Sequence, residues 1–390
     1  MKLLRIGRER HVSEVAKMND VRQVEVFLHG LVVGRIAMTP DRVCAFQYDP
    51  LYLQSGQSIS PFHLPLSSEL FISRLMPFDG NFGVFDDSLP DGWGQLLLDR
   101  RMRSKGIAPN ELTVLQLLCF VGNTGRGALE YRPDLSNADD MAAEEMPQFD
   151  FEAYREESKK LLEQSSYAGE DIETMYRYGG SSGGARPKAF IEDEDGAWLV
   201  KFSNSSDPED IGKVEYEYSL LAKACGIEMP DTKLFEGKYF ATKRYDREAH
   251  GKIHTVSAAG LLHADYRIPS LDYTSLLLAC QKLTRNMKEV ERLYRQMVFN
   301  VVISNRDDHA KNFSFQLVDT KWKLAPAYDI LPSAGFGGQH TTAVNESGNP
   351  KTEDLLAVAT AVGLNKSIAQ STIDAVVSEC KNARMARYDI

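Results

Sequence analysis

Long apolar runs are what this sequence most plainly lacks. No stretch approaches the roughly 20 consecutive residues needed to cross a bilayer, so no membrane partner is expected. The opening MKLLRIGRERHVSEVAKMND turns polar before a signal-peptide core could form, and the expected location is the cytoplasm. Paired cysteines are missing too. The five (Cys44, Cys119, Cys225, Cys280 and Cys380) are scattered, odd in number and without a C-x-x-C pair, and read as small buried hydrophobes in a reducing compartment. The eight histidines lack metal-site spacing, which leaves zinc unsupported. Basic charge is scarce: the formal net charge is −10, whereas a protein living mainly on DNA usually carries a basic balance or stripe. The single sizeable basic cluster, Arg100, Arg101, Arg103 and Lys105, reads first as a solvated helix face and second as a phosphate or partner contact. Autonomous DNA binding is disfavoured.

What is present is an ordinary globular composition, 43% hydrophobic and 26% charged, in 390 residues, enough for two or three domains. Residues 22–38 alternate around Val24, Val26 and Leu28, turn at His29-Gly30 and resume to Met38, which predicts a hairpin. A short strand is expected over Val43–Tyr48. A helix should start at Leu89-Pro90-Asp91 and stop at Gly106, with a second after Asn110. Residues 133–150 are acidic and poor in large apolar side chains, which suits a surface connection and places a boundary near 150. Asp195-Gly196 and Glu236-Gly237 mark two further hairpins, separated by a helix over 214–225. Beyond residue 250 the pattern is mainly helical. Its clearest case is 288–303, where Val290, Leu293, Tyr294, Met297, Val298 and Val301 recur at helical spacing. Strands first and helices after is the layout of a two-lobed kinase.

Phosphoryl transfer needs donors for phosphates, oxygens for a metal ion and a carboxylate at the attacking hydroxyl. The loop Gly179-Gly180-Ser181-Ser182-Gly183-Gly184-Ala185-Arg186-Pro187-Lys188 would let backbone N–H groups approach a phosphate, although such a loop can equally be a linker. Lys201, inside Trp198–Phe202, is costly there unless an anion meets it; the alternative is that it points to solvent on an alternating strand. Glu217, on the next helix, could pair with Lys201, with Glu215 as competitor on a different face. The most distinctive segment is Ser304–Phe313, a polar run directly after a long apolar helix. Asp307 and Asn312 stand five residues apart, the spacing of base and metal-binding asparagine in the kinase pattern H-R-D-x-x-x-x-N. Lys311 could offset charge on the transferring group, and His309 is expected to brace the loop. Asp329 follows a short strand over Lys321–Leu324 and could complete a magnesium site, or could simply cap a helix.

The segments SSGGARPKA, WLVKF, VEYEYSLLAKACGI, TKRYDR, NRDDHAKNFSF and LAPAYDI resemble, in order, the kinase motifs of the HipA family, and FDDSLPDGWGQLLLDRR with GNTGRGALEY is similar to its N-terminal domain. The resemblance covers most of the chain. It implies an α+β, kinase-like fold with an added N-terminal subdomain over 1–150, an N-lobe over 151–245 and a helical C-lobe over 246–390. It further implies that Asp307 is the base and Lys311 a catalytic partner, and that Asn312 and Asp329 hold Mg2+. Lys201, Ser181, Ser182, Gly183, Gly184, Ala185, Lys188 and His309 would meet ATP, with Lys243 and Tyr245 at the connection that receives the adenine. Ser181 is the matching position for inhibitory autophosphorylation, with Ser182 adjacent. The expected partners are a helix-turn-helix antitoxin of HipB type, through which DNA is reached indirectly, and a protein substrate such as an aminoacyl-tRNA synthetase. Arg186-Pro187 departs from relatives that carry Gln-Glu in this loop. A small-molecule phosphotransferase and a non-catalytic antitoxin-binding co-repressor are the competing functions.

Overall fold

A computed structural model describes residues 21–136, 149–164, 167, 171–335 and 337–385. Most of the acidic connection expected over 133–150 lies outside the described residues. The described residues fall into two compact units, one within 1–59 and 64–209 and the other within 60–63 and 210–390.

In the first unit, β1 (Gln23–Leu28) and β2 (Leu31–Met38) form the expected hairpin. His29 and Gly30 both take positive φ, 51° and 78°, as a two-residue turn matched to strand twist requires. With β3 (Cys44–Tyr48), β4 (Phe71–Ile72) and β5 (Leu129–Arg132) they build an antiparallel sheet of order β4-β3-β2-β1-β5. Alternation buries Val24 and Val26 on one strand and, opposite them, Ile36 and Gly34 on its neighbour. Short helices α1 (Tyr52–Ser55) and α2 (Gly83–Asp86) precede α3 (Gly92–Ser104). Helix α4 (Val114–Val121) starts later than Asn110 suggests, because Thr113 and Gln116 form a capping box that satisfies its first donors, while Pro109–Glu111 makes only a 3-10 turn. After α5 (Phe151–Glu163) and α6 (Ile172–Gly179), β6 (Lys188–Asp193) and β7 (Gly196–Lys201) form the hairpin predicted at Asp195-Gly196, with the turn itself at Glu194-Asp195 and Gly196 already paired with Asp193.

The basic cluster on α3 is not uniformly a solvated face. Arg101 is 1% exposed: its guanidinium donates to Glu173 at 2.8 Å and lies over the Tyr176 ring, so this cation joins α3 to α6. Period-3.6 geometry places Arg101 with Leu97 and Leu98 on the inner side, a phase that charge counting alone misses.

The second unit opens with α7 (Ile211–Ala224), which packs on the hairpin of β8 (Thr232–Phe235) and β9 (Tyr239–Lys243). Two-residue strands β10 (Arg247–Glu248) and β11 (Gly251–Lys252) follow. Next come β12 (His254–Ser257), α8 (Ala258–Leu262), β13 (Leu271–Asp272) and α9 (Tyr273–Thr284). Helix α10 (Met287–Val302) carries the predicted apolar stripe, and Val290, Leu293, Tyr294, Met297, Val298 and Val301 are all buried. Strands β14 (Ser314–Val318) and β15 (Lys321–Leu324) complete an antiparallel sheet of order β12-β14-β15, and β16 (Thr342–Ala343) pairs with β13. Helices α11 (Thr352–Ala361) and α12 (Lys366–Asn382) close the unit. No helix among the described residues is long and apolar enough to cross a membrane.

Candidate active site

Between α10 and β14 the chain turns sharply, with Ser304 in the left-handed region at φ 57°, and the following residues form a loop closed by a 3-10 turn over Ala310–Asn312. Asn312 donates from its side-chain nitrogen to the Asp307 carbonyl at 2.7 Å, which ties the two ends of the five-residue spacing together. No donor among the described residues reaches Asn312 Oδ1, the atom able to meet a cation. Asp307 is exposed, whereas Asp308 beside it is fully buried.

Asp329 belongs to the same cluster. Its backbone carbonyl accepts from the Asn305 side chain at 3.3 Å, and its own φ is 53°, a left-handed conformation uncommon outside glycine. No helix begins at or near Asp329, so the helix-cap alternative falls away. The preceding Tyr328 bonds to Ser314 Oγ at 2.7 Å and to the Lys311 carbonyl, and its ring stacks on Tyr245, with centroids 5.5 Å apart. Gln316 in turn donates to the Tyr245 carbonyl at 2.9 Å. Tyr245, Lys311, Asn312 and Asp329 are thereby drawn into one neighbourhood of the second unit. Lys243, at the end of β9, donates its backbone N–H to the Asp231 carbonyl at 2.8 Å. The Lys311 ammonium lies 3.9 Å from the centre of the Tyr266 ring.

His309 does not brace the loop in the expected way, because its Nδ1 is buried without a hydrogen-bond partner among the described residues. Asp308, which sequence reasoning passed over, takes that role: Tyr273, His340 and the Thr341 and Thr342 amides all donate to its carboxylate. Two consecutive aspartates in a polar run give no signal of which one turns inward.

On α7, Glu217 is exposed, while Glu215 is buried. The buried face of α7 runs through Glu215, Tyr218, Ser219 and Ala222, and Glu217 lies on the other side of that helical phase.

The remaining candidates are in the first unit. The Gly/Ser loop leaves α6 and is anchored on the start of α3: Gly184 donates to the Asp91 carboxylate, and the Trp93 amide donates to the Gly184 carbonyl at 2.8 Å. Ser182 is buried and donates to the Gly179 carbonyl at 2.6 Å, whereas Ser181 is only half-buried and Gly183, Gly184 and Ala185 are exposed. Arg186 is paired with Asp207 at 2.9 Å, and the Pro187 carbonyl accepts from the Phe202 amide. Trp198, Val200 and Phe202 face the core, which puts Lys201 on the opposite side of β7, half-buried. Its cross-strand partner is Lys188, the more deeply buried lysine, whose ammonium meets the Gly183 carbonyl. Like charges directly opposite on one sheet face are destabilising unless an anion joins them.

A model of the HipA-like C-terminal domain matches residues 180–384, more than half of the chain, and one of the HipA N-terminal domain matches residues 24–132. The chain belongs to the HipA family. Y4dM of Sinorhizobium fredii, named as a candidate kinase, is 25% identical over 362 residues, covering 86% of this chain and 83% of its own. Y4mE of the same organism, named likewise, is 30% identical over 130 residues, 30% of this chain. Among solved structures, the Shewanella oneidensis HipA from a complex of HipA, HipB and operator DNA superposes with a TM-score of 0.66, covering 94% of this chain and 92% of that one at 17% identity. At that identity the likeness establishes the fold. This HipA-family protein therefore has the expected α+β, kinase-like fold with an additional N-terminal part.

Proposed function

We propose that this HipA-family protein is an ATP-dependent kinase that phosphorylates serine on protein, acting as the toxin of a toxin–antitoxin pair. One observation carries the reading: the backbone carbonyls of Asp307 and Asp329 are held by the side chains of Asn312 and Asn305 from one loop, both aspartates are exposed, and no donor among the described residues reaches the Asn312 amide oxygen. No group of three or more His, Cys, Asp or Glu among the described residues could hold a metal ion alone. One amide and one carboxylate fit magnesium, a hard cation that takes its remaining oxygens from nucleotide and water. The unpartnered, buried His309 Nδ1 is a further polar atom suited to a polar ligand.

In this reading Asn312 and Asp329 hold the magnesium. The ion, when bound, would neutralise charge on the phosphates. Asp307 accepts the proton of the acceptor hydroxyl, and the Lys311 ammonium offsets charge on the transferring group. Lys201, Lys188 and the backbone of Ser181–Ala185 meet the phosphates, His309 contributes to the nucleotide site, and Lys243 and Tyr245 receive the base. Ser181 is the autophosphorylation site, since the Ser182 hydroxyl is buried and engaged. A phosphoserine adds about −1.5 to −2 charges where ATP phosphates would sit, and so inhibits. The partners proposed are a helix-turn-helix antitoxin of HipB type, which alone reaches DNA, and a cytoplasmic protein substrate of the aminoacyl-tRNA synthetase class. A division at residues 150 and 245 into N-terminal part, N-lobe and C-lobe is part of the same proposal.

The test is incubation of the full chain with ATP, Mg2+ and a lysate, followed by phosphopeptide mapping. Phosphate on Ser181 and on a protein serine, absent with Asp307→Asn, is expected. Phosphate found only on a metabolite would replace the substrate class with a small molecule.

A further inference from the structure

Asp308 buries a carboxyl side chain directly beside the proposed base, an expensive arrangement unless its oxygens are fully hydrogen-bonded. They are. Oδ1 accepts from the amides of Thr341 at 2.9 Å and Thr342 at 3.2 Å, and Oδ2 meets the Tyr273 hydroxyl at 2.9 Å and His340 Nδ1 at 2.9 Å. The Thr342 hydroxyl closes on the Asp308 carbonyl.

The bonds do not stop there. Asn300, on the last turn of α10, donates to the Tyr273 hydroxyl at 3.0 Å. Its side-chain oxygen accepts from Asn305 at 3.1 Å, and the same Asn305 nitrogen donates to the Asp329 carbonyl at 3.3 Å. Each donor and acceptor role has only one consistent assignment. Tyr273 must donate to the carboxylate and so accepts from Asn300, which turns the Asn300 oxygen toward Asn305 and leaves the second Asn305 hydrogen for Asp329. Tyr273, Asn300, Asn305 and Asp308 are all buried, and burial, with the Asp308 carboxylate close by, holds the Tyr273 hydroxyl protonated well above its ordinary range.

We infer that Asp308 is a positioning residue, which through Tyr273, Asn300 and Asn305 couples the loop bearing Asp307 to the backbone that holds Asp329 in its left-handed conformation. Asp308 touches neither substrate nor metal in this account. It fixes how the proposed base and the proposed metal ligand are presented to each other, and so rests on the kinase reading for its catalytic consequence alone. A buried, directional network of this kind has discrete arrangements and transmits its loss to distant members.

The experiment is amide hydrogen exchange on the full chain, following peptides over 303–313 and 326–334 in wild type, Asp308→Asn and Tyr273→Phe, alongside steady-state phosphate transfer. Tyr273→Phe keeps the ring and removes one link, so it tests the chain even where Asp308→Asn folds poorly. Both variants are expected to speed exchange in 326–334, a segment neither residue contacts in sequence. They are also expected to lower kcat by about 10- to 100-fold with KM for ATP within about twofold, because geometry rather than affinity is lost. The double variant should be no slower than the slower single one. Unchanged exchange in 326–334 overturns the inference whether or not the wild type turns over, and so does a lower melting temperature with kcat unaltered. Coupled exchange in a wild-type protein that transfers no phosphate upholds the coupling and sinks the kinase reading instead.

Discussion

Asp307 and Asp308 are adjacent, chemically identical and held in opposite environments, one exposed and one fully buried. Under the proposed function the exposed one is the base: Asp307→Asn is expected to lower transfer by about 10²- to 10⁴-fold while shifting the melting temperature little. Radiolabel transfer and a thermal melt check both halves. The polar run after α10 made the loop that carries Asp307 and Asn312 legible from sequence, because polar residues directly after an apolar stripe mark where the helix ends. The inward turn of Asp308, the burial of Glu215 rather than Glu217 and the burial of Arg101 were not legible, since each depends on helical or loop phase rather than on composition. The cysteines were easier, as the described fold buries all five. Burial pushes the thiols of Cys44, Cys119 and Cys280 up to about 12. Below their ordinary value of 9.0 they stay protonated in both folded and unfolded chains. As pH rises further, the unfolded chain releases protons that the folded chain keeps, so stability falls across the window from about 9 to about 12. Melting temperatures measured stepwise to pH 11 should be level below about pH 8.5 and then decline; a flat profile contradicts this.

Helices and hairpins set where the loops begin. Dipeptide turns with glycine, such as Glu236-Gly237, announced their hairpins in the sequence because few residues accept positive φ, and both residues take it there. The start of α4 was misplaced because a capping box outweighs an upstream asparagine; Thr113→Ala should cost about 1 kcal/mol, read from denaturant unfolding. The clearest dependence is that of the Gly/Ser loop on α3. A Cβ on Gly94 would sit 2.2 Å from the Ser182 carbonyl oxygen, which is backbone and cannot step aside without moving the loop. Gly94→Ala is therefore expected to weaken nucleotide binding at least about tenfold by calorimetry, beyond any loss of stability. Gly106 is a control: its φ is 69° and a Cβ there meets nothing within 4 Å, so Gly106→Ala should cost only about 1–2 kcal/mol of backbone strain and leave nucleotide affinity alone.

The whole molecule carries a formal net charge of −10, which bears on partners rather than on fold. Alone, the purified chain should not shift duplex DNA in a gel at physiological salt; a shift without a basic partner would contradict the account of indirect recruitment. Family membership and fold were both legible in the order of the kinase-like motifs, since phosphoryl transfer demands a short list of groups in a fixed sequence. Substrate identity was not, because acceptor recognition resides in surface shape. The measurement that bears most directly on the central claim is transfer of the ATP γ-phosphate in the presence of Mg2+ by wild type, Asp307→Asn, Asn312→Ala and Asp329→Asn. Incorporation by the wild type, and none above background by any of the three folded variants, is the predicted result. Equal incorporation by wild type and Asp329→Asn would contradict it.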